Sequence, residues 1–204
     1  MNRLLMPLML CLAACGPALE GEEENEVAKK EEELLPLCFN ATFAGSALSE
    51  DVALGFAGSR NDPASFDRTL SAPSAWSSTS VTANFNVGDN LAELSAVPFA
   101  GFAAGGFNLD LTVRDPTSGR VLCNARQEVL NRSTPAGGLD ASAPRGNRAL
   151  TCSFDATGLT VAPIARTTLE VWGTVGGFAT AFVRAQVSSV SIGETRCMRL
   201  IFLP

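Results

Sequence analysis

The side chains available for chemistry are few in kind. The 204 residues include no His and no Tyr. Histidine is the usual general base and metal ligand near neutral pH. Its absence excludes Ser-His-Asp and Cys-His arrangements and the common zinc sites. No Gly-x-Ser-x-Gly elbow, no Ser-x-x-Lys pair and no Gly-rich phosphate loop with Lys occurs. Catalysis would rest on Asp, Glu, Ser, Thr or Arg, and a carboxylate pair can hydrolyse glycosides. Asp110 and Glu128 are the candidates for that pair, because they flank the clearest strand pattern in the chain. Carboxylates on exposed strand faces usually serve solubility, so a non-catalytic protein is the expectation. Calcium ligands group at Asn61, Asp62 and Asp67 and at Asp89 and Asn90. Neither group has a known loop spacing, and turn chemistry explains both. No metal and no cofactor is expected. Trp76 and Trp172 offer flat faces for stacking on a sugar, against the default of core packing. Residues 99–107 carry three Phe among Ala and Gly. They form either an exposed patch or a buried strand packed closely at its glycines, and burial is the expectation.

The chain begins with a short basic segment, residues 1–3, followed by an apolar run over residues 4–14. That run is too short for a bilayer span of about 20 residues, but it fits the apolar region of a secretory signal. It closes on Leu12-Ala13-Ala14-Cys15. This tetrapeptide resembles the lipobox of bacterial lipoproteins, with Leu at −3 and small residues at −2 and −1. Cys11 fits less well, since bulky Leu10 precedes it. The resemblance implies that residues 1–14 are a cleaved signal peptide and that Cys15 is acylated as the first mature residue. Several acyl chains, at about 0.8 kcal/mol per buried methylene, make a durable membrane anchor. The resemblance further implies a lipid-anchored location in the bacterial cell envelope. Gly16 at the next position points to the outer membrane or cell surface rather than the inner membrane.

The formal charge of −6 is unevenly placed. Residues 16–36 hold eight Glu and two Lys, whereas residues 37–204 hold thirteen acids and twelve Arg. Residues 15–36 therefore read as the acylated Cys with an acidic flexible tether, extended by its own repulsion to at most about 70 Å. The nearly neutral remainder lacks the concentrated basic face that nucleic acid requires.

From residue 37 the pattern alternates with a period of two. Strands are expected near residues 37–43, 51–57, 65–70, 81–87, 107–113, 121–125, 149–156, 167–174, 178–192 and 195–203. Turn chemistry at Asn61-Asp62-Pro63, Gly88-Asp89-Asn90 and Gly176-Gly177 is expected to separate them. Residues 91–97 are ambiguous between a helical turn and an irregular strand. Asp115-Pro116-Thr117-Ser118-Gly119 suits a type I turn with a glycine bulge, joining a hairpin. Short strands at this spacing, without a long helix, indicate an all-β fold: an antiparallel β-sandwich, Ig-like or jelly-roll-like, of about 8–10 strands over residues 37–204.

Four cysteines remain, Cys38, Cys123, Cys152 and Cys197. Export to an oxidising compartment makes an even count read as disulfides. Of three connectivities, Cys38–Cys197 with Cys123–Cys152 is favoured. The first would pin the first and last strands, and the second would staple a long loop between sequential strands. The expected function is a membrane-anchored envelope lipoprotein whose sandwich binds or supports another envelope protein or glycan. Residues 71–80 and 131–147 are the expected recognition loops. The rival is a small carboxylate-dependent hydrolase of envelope polysaccharide.

Overall fold

The computed structural model describes residues 37–73, 76–134 and 137–198. Cys15, the signal segment and the tether lie outside the described residues. Eight strands follow in chain order: β1 (Leu37–Ala44), β2 (Leu48–Gly55), β3 (Gly58–Thr69), β4 (Ser78–Arg114), β5 (Val121–Thr134), β6 (Gly137–Ala141), β7 (Gly146–Phe154) and β8 (Ile164–Met198). The fold is all-β and antiparallel, as the alternation predicts.

Two strands organise the rest. β4 has 37 residues and β8 has 35. They pair antiparallel from Ser78↔Cys197 to Arg114↔Ile164. β1, β2 and β3 line the far edge of β8 in succession. β5, β6 and β7 line the far edge of β4 in the same way. Hydrogen bonding thus makes one ribbon four rows wide, ordered β1/β2/β3, β8, β4, β5/β6/β7. The chain visits the rows in the order first, third, fourth, second. That is the order of a double ribbon rolled on itself, the jelly-roll form of the sandwich.

The roll turns where β2 gives way to β3, where β4 slips register between Ala96 and Gly101, and at Gly177 of β8. Beyond this bend the second half folds back over the first. Arg68 of β3 lies 4.5 Å from the ring centroid of Phe43 in β1. Cys123 of β5 is bonded to Cys152 of β7. Val81, Phe85 and Ile192 from one half and Phe107, Leu109, Leu111 and Leu169 from the other are fully buried in one core. Each such side chain contributes about 1.5–3 kcal/mol by leaving water. A smaller cluster of Leu94, Ala96, Ala103, Val175, Ala179 and Ala181 fills the inside of the bend.

Fewer, longer strands replace the separate short ones expected from sequence. The supposed terminators bend strands instead of ending them. At Gly88-Asp89-Asn90 the register slips between Val87 and Asn90. The buried Asn90 side chain takes over the backbone pairing there: its Nδ2 donates to the carbonyls of Gly88 and Ala143, both at 3.1 Å, and its Oδ1 accepts from the Ala143 N–H at 2.6 Å. The ambiguous residues 91–97 all belong to β4. Gly176-Gly177 lies inside β8, as do residues 167–174 and 178–192. Asn61-Asp62-Pro63 lies inside β3, not in a turn. Among the described residues β3 pairs only with β8, and an edge strand tolerates a proline whose missing N–H faces the open side. The supposed loop 131–147 contains the end of β5, all of β6 and the start of β7.

Candidate functional site

In the second half of the roll, polar side chains alternate outward along four neighbouring rows. The register sets Asn108 of β4 directly opposite Glu170 of β8 on one side and Glu128 of β5 on the other. Asn61 of β3 stands opposite Trp172, two residues along β8 from Glu170. Arg126 stands opposite Asp110, the next outward residue of β4 after Asn108. Asn61, Asn108, Arg126, Glu128, Glu170 and Trp172 consequently line one shallow hollow.

Glu170 is the centre of this hollow. Its carboxylate accepts from Asn61 Nδ2 at 2.5 Å, from Asn108 Nδ2 at 3.3 Å and from Arg126 Nη2. Burial pushes its pKa up, but the hydrogen bonds from Asn61 and Asn108 and the charge and hydrogen bond of Arg126 outweigh that and hold it below the ordinary value. The carboxylate is thus fixed, ionised and oriented by donors from three strands. Glu128 accepts from Asn131 Nδ2 at 2.8 Å. Trp172 is half-buried and closes one side of the hollow. Such a face can accept and donate hydrogen bonds to a hydroxyl-rich ligand lying against an aromatic surface.

The sequence candidates divide. Glu128 and Trp172 come together here. Asp110 stays on the same face but is occupied by Thr112 Oγ1 at 2.6 Å and Asn124 Nδ2 at 3.1 Å. Asn61, Asp62 and Asp67 do not gather around a common point: Asn61 serves Glu170, Asp62 pairs with Arg60 at 2.6 Å, and Asp67 pairs with Arg166 through two hydrogen bonds of 2.6 and 2.7 Å. Asp89 pairs with Arg145, and Asn90 is turned inward. No cluster of three metal-ligating side chains occurs among the described residues. Trp76 is elsewhere, edge-on to Phe39 at 5.4 Å with Arg196 over its ring at 4.7 Å. The run 99–107 was expected to be buried throughout. Phe107 is fully buried, but Phe99 is wholly exposed and Phe102 is 49% exposed. Both disulfides join the expected partners, Cys38 to Cys197 and Cys123 to Cys152.

Sequence reasoning did not single out Glu170, Arg126 or Asn108. The available signal was the polar phase of the alternating hairpin, in which Asn108 and Asp110 of one strand lie opposite Glu128 and Arg126 of the other on one face.

Neither a family model nor a curated protein matches the chain. Among solved structures, that of the infectious bursal disease virus Gx strain aligns at 13% identity with a TM-score of 0.24, covering 91% of this chain and 45% of that one. The VP2 subviral particle of the same virus aligns at 13% identity with a TM-score of 0.27, covering 91% and 46%. The chain spans less than half the length of these viral chains. The fold assignment rests on the strand pairing of this chain alone.

Proposed function

We propose that this chain is an envelope lipoprotein, held by acylated Cys15 at the outer membrane or cell surface, whose jelly roll binds a glycan on the hollow around Glu170 and Trp172. The carrying observation is the convergence of Asn61, Asn108 and Arg126 on Glu170 beside Trp172. Planar amides, a guanidinium and a carboxylate match the paired hydroxyls of a sugar, and the indole matches its apolar face. Glu170 does not meet the requirement for a glycosidase's proton donor. A glycosidase's proton donor needs a raised pKa, whereas Glu170 is lowered. Of the two segments first expected to recognise a partner, 131–147 is largely strand and 71–80 enters β4 only at Ser78, and neither lines this hollow.

The test is a binding screen of the unreduced full chain on immobilised envelope glycans, with released sugar measured in parallel. Trp172→Ala and Glu170→Gln should each weaken binding at least tenfold while far-ultraviolet dichroism stays unchanged. Retention of no glycan at all defeats the binding reading, and released sugar dependent on Glu128 supports the hydrolase instead. Metabolic labelling with palmitate tests the anchor separately; label that survives Cys15→Ala counts against it.

A further inference from the structure

Four exposed phenylalanines crowd the bend of the roll. Phe56 sits between β2 and β3, Phe99 lies inside the register slip in β4 and Phe102 just after it, and Phe178 follows Gly177 in β8. They are 71%, 107%, 49% and 62% exposed, and Val97 beside them is 51% exposed. Phe56, Val97 and Phe178 line one open groove. The ring of Phe102 lies against Gly176, where a Cβ would meet it at 2.2 Å.

Two further observations set this end apart. Phe56 and Phe99 have φ of 70° and 60°, and they are the only non-glycine residues with positive φ among those described. A bulky side chain in that region is strained. The bend keeps both strained residues, and both present a Phe to solvent. The second observation is charge. Residues 52–59, 94–109, 133–134, 137–139 and 171–183, which run up to and through the bend, contain no Asp, Glu, Lys or Arg. The nearest charges on the outer rows, Arg60, Arg132 and Asp140, lie two residues from Gly58, two from Thr134 and three from Gly137, about 7–10 Å back at 3.3 Å per residue. That depth matches the roughly 5–10 Å to which an interfacial apolar element sinks into a bilayer. A protein partner would meet a rim of charged and hydrogen-bonding groups. Here the clustered corner side chains stand on a surface whose nearest charges are set back from the tip, a form suited to a deformable apolar medium.

We propose that the phenylalanine-tipped bend inserts into the headgroup–acyl boundary of a lipid bilayer. This contact is separate from the proposed lipid on Cys15 and from the glycan face, and it stands if either of those fails. The tip carries no cations, so insertion depends on apolar contact and not on anionic lipid. Leu37, paired with Met198, lies at the end of the ribbon remote from the bend.

The experiment places a reporter at the tip of the full chain. Phe99→Trp is mixed with phosphatidylcholine vesicles whose acyl chains carry bromine near the headgroup, and its emission is compared with the parent, where only Trp76 and Trp172 contribute. Insertion predicts a blue shift and at least twofold quenching of the added Trp, equal in zwitterionic and anionic vesicles and unchanged by salt. The same reporter with Phe56→Ser, Phe102→Ser and Phe178→Ser should lose that quenching. No quenching of Trp at position 99, even in chains that sediment with the vesicles, overturns the proposal. So does quenching that requires anionic lipid. A concentration-dependent blue shift without vesicles would assign the tip to a second copy of the chain. An unchanged thermal transition for the reporter variant confirms that the fold is intact.

Discussion

Glu170 is held in its charged state by opposing forces: burial raises its pKa, and Asn61, Asn108 and Arg126 together bring it below the ordinary 4.5. Three other carboxylates are lowered from 3.8. Asp67 is lowered chiefly by the hydrogen bonds of Arg166, Asp115 by Ser118 and the Thr117 N–H, and Asp155 by the side chain and N–H of Thr157. In each case the folded pKa lies below the unfolded one. The unfolded chain therefore binds more protons between the two values. The stability these groups contribute is fully present above the unfolded pKa and is lost as pH falls through the folded one. Thermal midpoints should be flat from about pH 7 to 5 and fall below about pH 4, where ordinary carboxylates titrate. Arg126→Met strips Glu170 of a charge and a donor and brings its folded pKa up toward the unfolded value, so the variant should be less stable at neutral pH and its acid limb shallower. Arg166→Met should flatten the limb in the same way but by less, because the Asp67–Arg166 pair is half exposed and screened by water. Dichroism melts across pH 2–7 check this, and an equally steep limb in Arg126→Met would mean that Glu170 does not link pH to stability.

At the scale of elements, the question is why β4 and β8 run so far. Gly177 has φ of 67°, and a Cβ there would stand 2.1 Å from the Ala100 carbonyl oxygen. The strand passes the bend unbroken only because this position is glycine. Gly119 in the hairpin turn has φ of 69°, but no atom lies within 4 Å of its would-be Cβ. Gly119→Ala should lose only the left-handed penalty, about 1–2 kcal/mol. Gly177→Ala should lose distinctly more, because backbone at the bend must also move. Urea melts of the two variants measure the difference, and equal losses would contradict a steric role for the bend. The Asp115 turn itself was readable in sequence, and it forms as expected: the Gly119 N–H donates to the Asp115 carbonyl at 2.8 Å, and the Thr117 N–H donates to the Asp115 side chain at 2.9 Å. Alternation over residues 81–87 and 107–113 was equally readable, because one face of each meets the core, and residues 37–43 alternate too although Leu37 and Phe39 stay exposed. Strand length was not. Gly-Asp-Asn and Gly-Gly have the same local chemistry whether they end a strand or bulge it, and only the partner row decides. The hollow was half legible for the same reason. Glu128 and Trp172 are visible as residue types, but Asn61, Asn108 and Arg126 reach Glu170 only through a register spanning up to 109 positions of chain.

At the scale of the molecule, the roll has two open edges, and they are closed differently. Along the β1/β2/β3 row the halves meet through Arg68 on Phe43. Along the β5/β6/β7 row they are joined covalently, because Cys123 pairs with Val113 in the second half and Cys152 pairs with Val81 in the first. Cys38–Cys197 does something else: it links residues already opposite each other in the β1–β8 ladder. Chain entropy alone ranks the two by separation, 159 positions against 29. That corresponds to about 5 kcal/mol for the first and about 3.5 kcal/mol for the second. Cys38→Ala/Cys197→Ala should therefore lower the melting temperature more, yet its local consequence should stay at the ribbon's end, as faster amide exchange in β1 and residues 190–198. Cys123→Ala/Cys152→Ala should lower the melting temperature less but part the two faces. Exchange should then rise in β7 and in the first residues of β5, which no hydrogen-bond ladder connects, while β1 keeps its protection. Hydrogen-exchange mass spectrometry on both variants separates entropy from architecture. Matching exchange maps would mean that the second disulfide acts only on the unfolded chain and does not clasp the roll.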